Sequence, residues 1–484
     1  MSLRQKAVQG VLWAGIQNWG SGLITMVVIV ILARLLDSSA WGLIAWATVF
    51  VEFLGIVQRQ GFGQVLIQRK DLEPGHLNAA FWSSAIAGLV FSSSMFLSAD
   101  LIASMLDVAE LGSVLRWFSI VVLIQAIVTI PLAILRRSLS FRSLAVRALA
   151  AAAIGGVVGI TMALRGYGVW SLVGQQIATI VAIAVALWFA ARWCPTLQVS
   201  KKHFKDLFGF GIYTMARGVV IFLNRRAADF IIGITLGPEP LGFYYIGRRL
   251  ISTMNRLLTE SISSVALPTF SRLQHDYGQM RQALLTATRL ASLLGFPAFL
   301  GVAVLAPELV TGLFGDQWAP SAPVMRILAI AGLVQCVAFF NNPLIVACGK
   351  PSWVLSTTIL NAVIGIALYS LAAQVGIVAV AFAHALRNLV CVPLPLVLVK
   401  KLIALDIETY LRGYMAPFGA SVAMMAAVWM VKWLLPDSMS VGTVLVVAVF
   451  AGIGVYWLSM RLIAPDRLQQ ARENVRLALG SKGT

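Results

Sequence analysis

Fourteen apolar stretches follow one another along this chain of 484 residues, from about Val8 to Ile463. Each is long enough to cross a bilayer, since a hydrocarbon core of roughly 30 Å takes about 20 apolar residues of helix. That core offers no water to backbone N–H and C=O groups, so each stretch must satisfy them internally and is predicted to be helical. The stretches lie at 11–35, 41–66, 79–104, 114–136, 145–165, 169–191, 207–236, 241–268, 282–306, 323–348, 353–373, 376–399, 411–435 and 440–463. They consume nearly the whole chain and leave no segment for a soluble catalytic domain. The expected fold class is all-α integral membrane, with about fourteen transmembrane helices.

The connectors alternate in charge. One set carries Arg69 and Lys70, Arg136 and Arg137, Lys201 and Lys202, Lys400 and Lys401; the other carries Asp37, Asp107, Glu239, Glu308 and Asp437. Arg165 and Lys432 depart from the pattern. Lys and Arg mark the cytoplasmic side, so both termini are expected there, in agreement with an even number of spans. The excess of 37 Lys and Arg over 19 Asp and Glu is therefore read as topology signal, and no nucleic-acid partner is expected. Four cysteines form neither a CxxC pair nor a Cys/His spacing suited to a metal, so neither metal nor cofactor is expected. The opening MSLRQKAVQG runs into the first span without a cleavage-like site and reads as part of a retained helix.

The sequence also repeats itself. The first span leaves through Ala33-Arg34-Leu35-Leu36-Asp37 and re-enters at Trp41-Gly42-Leu43; the seventh leaves through Leu236-Gly237-Pro238-Glu239 and re-enters at Leu241-Gly242-Phe243. Gly166-Tyr167-Gly168-Val169-Trp170-Ser171-Leu172 at the sixth span is echoed by Val375-Gly376-Ile377-Val378 at the twelfth. Six spans return a chain to its starting side, so the repeat implies two six-helix lobes of like orientation, related by an axis along the membrane normal. The expected boundaries are an N-terminal lobe at 1–191, a basic cytoplasmic linker at 192–206 and a C-terminal lobe at 207–400. Two additional helices at 401–463 and a basic cytoplasmic tail at 464–484 follow.

These motifs, ARLL with its downstream Trp-Gly, LGPEPLGFY and GYGVWSL, resemble the polysaccharide-transport family of oligosaccharide-lipid flippases. That family belongs to the superfamily that also holds multidrug exporters and the lipid II flippase. The resemblance covers essentially the whole chain. It implies a transporter that turns an undecaprenyl-pyrophosphate-linked oligosaccharide across the bacterial inner membrane, for lipopolysaccharide O-antigen, capsule or exopolysaccharide. It also implies membrane lipids around the chain and polymerase or export machinery as partners.

Ionisable residues inside spans carry the most functional information, because a charge at mid-membrane costs about 2.5–3.5 kcal/mol on insertion scales. The seventh span holds Arg217, Arg225, Arg226 and Asp229; the eighth holds Arg248, Arg249, Arg256 and Glu260; the twelfth holds His384, Arg387 and Asn388. The second span holds Glu52, Gln58 and Arg59 before a glycine-bearing run, Gln60 to Gly63, suited to a bend. Arg249, Ser252, Arg256 and Ser263 share one helix face, with Glu260 slightly off it. Arg59, Arg225, Arg226, Arg248, Arg249, Arg256 and Arg387 are the candidate ligands for pyrophosphate or acidic sugars, because guanidinium stays charged and grips such oxygens bidentately. Neighbours in sequence point about 100° apart, so at most one of each adjacent pair faces a cavity squarely. Arg217 and Arg256 can also snorkel to headgroups.

Glu52, Asp229 and Glu260 are candidates for coupling transport to an ion gradient; each also has an arginine neighbour, Arg59, Arg225 or Arg256, and an ion pair is the competing reading. Proline and glycine within the spans suit kinked helices and close packing, in line with rocking lobes. A cation-coupled small-molecule exporter of the same superfamily is the alternative, and the arginine excess argues against it. A membrane-embedded polymerase or ligase would need a furnished outer loop, and 100–113 and 307–322 are short and without histidine. No P-loop, HExxH or GxSxG is present, so the chain is read as a non-enzyme, and as a monomer.

Overall fold

The computed structural model describes residues 3–59, 66, 71–138, 141–197, 201–256, 261–436 and 438–465. Among them the regular structure is helical. The helices are α1 (Leu3–Leu35), α2 (Ser38–Arg59), α3 (Pro74–Met105), α4 (Ala109–Arg137), α5 (Phe141–Leu164), α6 (Trp170–Ala191), α7 (Lys201–Leu236), α8 (Pro238–Asn255) and α9 (Ser261–Arg272). They continue as α10 (Tyr277–Val304), α11 (Ala306–Phe314), α12 (Ser321–Ala338), α13 (Asn341–Ala347), α14 (Pro351–Ala373), α15 (Ile377–Cys391), α16 (Pro393–Ile403), α17 (Ile407–Leu434) and α18 (Val441–Ile463).

Each of the fourteen expected spans is helical over most of its described residues. Spans eight, ten and twelve are each carried by two helices: α8 with α9, α12 with α13, and α15 with α16. Pro343 accounts for the break in the tenth span, and Pro393 and Pro395 for that in the twelfth, because proline has no N–H for the preceding turn. Pro131, Pro268, Pro297 and Pro417 sit inside helices that continue through them.

By length and composition, eleven segments among the described residues are apolar enough to cross a membrane. Spans one, seven and eight are not among them, although Trp19–Leu35 of α1 is a shorter apolar segment. Among the described residues α7 carries Arg217, Arg225, Arg226 and Asp229, and α8 carries Glu239, Arg248 and Arg249. The seventh and eighth spans are two of those singled out above by their intramembrane charge.

The chain forms two compact units. The first comprises Met1–Tyr245 with Tyr369–Gly376, and the second Ile246–Leu368 with Ile377–Thr484. Within the first unit α3 packs on α4, α5 on α1 and α6, and α2 on α4 and α7. Small residues allow the close approach: a Cβ at Gly155 would lie 1.9 Å from Thr179 Oγ1, and one at Gly159 2.8 Å from Gln175 Cβ. Within the second unit α10 packs on α12 and α17, α12 on α15, and α17 on α18.

The two repeated turns meet inside the first unit. A Cβ on Gly42 would stand 1.8 Å from the Pro238 carbonyl oxygen, and one on Gly242 would stand 1.9 Å from that of Ser38. The pairing is reciprocal, residue for residue, across an offset of 200 positions, so backbone packs directly on backbone. Gly237 holds φ +84°, in the left-handed region that lets α7 end and α8 start one residue later. Asp37 Oδ1 accepts from the Ala40 amide at 2.9 Å and caps α2. Nearby, Trp41 stacks on Tyr245 with ring centres 6.1 Å apart.

Candidate functional site

In the first unit the charged site is built by α2 and α7. Arg226 donates from Nε to Glu52 Oε2 at 2.7 Å and from Nη2 to Glu52 Oε1 at 2.6 Å. Its Nη1 donates to Asp229 Oδ2 at 2.9 Å. Asp229 is fully buried, and the Arg226 side chain is 13% exposed. A buried carboxylate is tolerated only when paired, so the grip on Asp229 is a condition for α7 to pack on α2. The sequence spacing pointed to Arg225 for Asp229 and to Arg59 for Glu52; the observed bridge joins both carboxylates through Arg226. Helical geometry lets it do so: Arg226, about 100° around from Arg225, is turned to α2, while Arg225 is exposed and the Arg59 side chain lies outside the described residues. Gln58, one turn and a half beyond Glu52 on α2, is also fully buried.

Charge of one sign gathers in the second unit, on α8 and α15. Arg387 is 6% exposed and Asn388 7%. Arg387 donates from Nη2 to Asn388 Oδ1 at 3.0 Å. His384, one turn earlier on α15, lies within electrostatic reach of both Arg387 and Arg248. Arg248, Arg249 and Arg256 are half-buried. The Nε atoms of Arg249 and Arg256 are buried with no hydrogen-bond partner among the described residues. A buried donor without a partner is costly in a native fold and marks a place where a ligand or water completes the bonding. Gly247 makes the approach possible: a Cβ there would stand 3.0 Å from the Ser321 carbonyl oxygen, so α8 lies directly on α12.

Several charged and polar residues fall elsewhere. Glu260, the run 60–65 and the tail 466–484 lie outside the described residues, as do the side chains of Arg59 and Ser263. Arg326 donates from Nε to the Ala303 carbonyl at 3.2 Å and so serves the C-terminal end of α10. Lys432, an exception to the charge alternation, pairs with Glu308 Oε1 at 2.6 Å and bonds the Val304 carbonyl at 3.2 Å. Its charge is thus spent on structure.

One grouping escaped the sequence reading. Glu73, His76 and His203 place ligand-type atoms within 4.8 Å of one another. The residues come from the start of α3 and the first turn of α7, 130 positions apart at the extreme. No spacing rule links them, and only the packing of α3 against α7 brings them together.

Comparison with known proteins places these features in context. The family described as "Polysaccharide biosynthesis protein" matches residues 31–323. The succinoglycan biosynthesis transport protein ExoT of Rhizobium meliloti is 27% identical over 329 residues, 68% of this chain and 67% of that protein. The teichuronic acid biosynthesis protein TuaB of Bacillus subtilis is 24% identical over 432 residues, 87% and 88% of the two chains. Among solved structures, the lipid II flippase MurJ in an inward closed conformation has the same fold, with a TM-score of 0.78 at 15% identity. That match covers 95% of this chain and 100% of the other.

Proposed function

This chain belongs to the polysaccharide biosynthesis protein family, and on that premise we propose that it is a flippase for lipid-linked oligosaccharides. Its substrate is an undecaprenyl-pyrophosphate-linked repeat unit, carried across the bacterial inner membrane for O-antigen, capsule or exopolysaccharide assembly. It works as a multi-pass protein with both termini cytoplasmic, by alternating access of the lobes 1–191 and 207–400, and without covalent chemistry. The single observation that carries the headgroup assignment is that the buried Nε donors of Arg249 and Arg256, which share one helix face seven residues apart, have no hydrogen-bond partner among the described residues. Arg248 and Arg387 add charge of the same sign. Pyrophosphate brings about two negative charges into a site of low dielectric, and guanidinium matches its oxygens in pairs while staying charged. A cationic drug would be repelled by the same arginines.

The first unit supports a coupling role. Glu52 and Asp229 share one guanidinium, so the three groups sum to one negative charge that a proton or small cation can neutralise. The flipped lipid-linked repeat unit then passes to polymerase or export machinery.

The test uses a strain lacking this protein. Lipid-linked oligosaccharide should accumulate on the cytoplasmic leaflet, wild-type chain should clear it, and Arg249→Ala at equal protein level should clear it poorly. No accumulation in that strain would overturn the flippase reading. Full clearance by Arg249→Ala would remove that residue from the headgroup site.

A further inference from the structure

We propose that Glu73, His76 and His203 form a binding site for a transition-metal dication of the zinc class, clipping the start of α3 to the start of α7. The chain has four histidines, and two of them converge here from distant positions. The imidazoles of His76 and His203 stand edge to face with centres 4.4 Å apart. His203 Nε2 lies 2.9 Å from Glu73 Oε2. His76 is 2% exposed, and its Nδ1 accepts from the Glu73 amide at 3.2 Å, so that nitrogen already presents its lone pair.

The local sequence is shaped around this meeting. Pro74 opens α3 and fixes the turn in which Glu73 and His76 are three residues apart. Gly75 stands between them, where a Cβ would come 2.5 Å from the His203 ring, so His203 can enter only over a glycine. The inter-lobe connector is tied to the same helix: Asn78 Nδ2 donates to Thr196 Oγ1 at 2.6 Å, and Trp82 Nε1 to the Thr196 carbonyl at 2.9 Å.

An ion pair between Glu73 and His203 accounts for two of the three groups. The capping bond from the Glu73 amide engages His76 Nδ1, and neither contact draws the three groups together. A metal accounts for all three. Two imidazoles and a carboxylate are the donor set of zinc sites that keep a fourth position for water, and the nitrogen donors select against calcium and magnesium. Tetrahedral ligands at zinc lie about 3.3 Å apart, so closure from the present separations needs side-chain shifts of about 1 Å. The ion would replace the proton now shared between His203 and Glu73 and take the His76 lone pair from the Glu73 amide. The effect is a cross-link between helices that sequence separation leaves independent, and it goes beyond the flippase reading.

The experiment is metal binding to the full chain, and it does not depend on transport. Purified protein in micelles is stripped with chelator, titrated with Zn²⁺ by calorimetry, and its bound metal counted; Co²⁺ gives a visible absorption band as a second readout. About one saturable zinc per chain is expected for wild type and for His275→Ala, whose histidine lies outside the cluster. His203→Ala and Glu73→Gln should each weaken binding by about tenfold or more, while His203→Cys, which keeps a ligand, should retain it. Retention by His203→Cys separates the loss of a ligand from the loss of the fold. No saturable binding to wild type, or the same isotherm for wild type and His203→Ala, would overturn the site. Such a result would leave a Glu73–His203 ion pair only.

Discussion

The charged sites of the two units are built from the same residue type and end in opposite electrostatic states. In the first unit Arg226 meets two carboxylates in bonds of 2.6 to 2.9 Å. In the second unit Arg387 meets a neutral amide, and Arg248 and His384 stand in electrostatic reach of one another. Intramembrane arginine therefore has no single meaning. Where a neighbouring helix supplies a carboxylate, as α2 supplies Glu52, the guanidinium becomes part of the framework; where the partner is a neutral amide, as Asn388 is for Arg387, the positive field remains for a ligand.

The largest expected effect breaks the first site. Arg226→Ala leaves Glu52 and a fully buried Asp229 without their shared partner, which should cost about 3–5 kcal/mol. A thermal melt of the purified protein should show a large fall in Tm. Combining it with Glu52→Gln and Asp229→Asn should recover much of that loss. An unchanged Tm for Arg226→Ala would mean that the bridge carries no stability and the contrast between the two units fails.

Arg249→Ala should do the reverse: little change in Tm but weaker substrate binding. A hydrogen bond to a charged group contributes about 1.5–3 kcal/mol, which corresponds to roughly tenfold to a hundredfold in affinity. Binding of a lipid pyrophosphate to protein in nanodiscs would measure it. A fall in Tm as large as that of Arg226→Ala would place Arg249 in the framework as well.

Gly42→Ala sharpens the comparison from a distance. The new Cβ would collide with the Pro238 carbonyl, so the α1–α2 and α7–α8 turns must separate. Overpacking of this kind costs about 1–3 kcal/mol. Because Glu52 rides on α2 and Arg226 on α7, the same change should loosen their pairing. Cysteine cross-linking between α2 and α7 would report it as a lower yield, and an unchanged yield would show that the turns and the bridge are mechanically independent.

The smallest effect concerns a cap outside the spans. The Thr409 hydroxyl and backbone amide hold the Asp406 carboxyl below the usual carboxylate range. The folded value lies below the unfolded one, so this contribution is present above about pH 4 and is lost as pH falls through the lowered folded value. Between about pH 5 and 3 the wild-type Tm should fall slightly more steeply than that of Asp406→Asn. Parallel curves would show that the cap makes no net contribution.

Much of this molecule was legible in one dimension. Span positions follow from hydropathy, and breaks at Pro343 and Pro393 follow from a missing N–H. The repeat was visible in Gly42 and Gly242, but their mutual contact was not, since nothing in a repeat says that its copies touch. Asp229 and Glu52 were recognisable as anomalous charges, while the bridging of both by Arg226 was a matter of helix rotation. Glu73, His76 and His203 carried no signal at all, because the distance between them in sequence is closed only by tertiary packing.

The sequence by itself determined the solvent, the helical class and the order of the spans, because a bilayer forces each segment to satisfy its own backbone bonds. That requirement is local, and apolar length is enough to read it. Which charges cancel, which remain available and which histidines meet were decided only by the tertiary structure. Those outcomes depend on the rotation and approach of helices far apart in the chain, where a shift of about 100° exchanges one neighbour for the next.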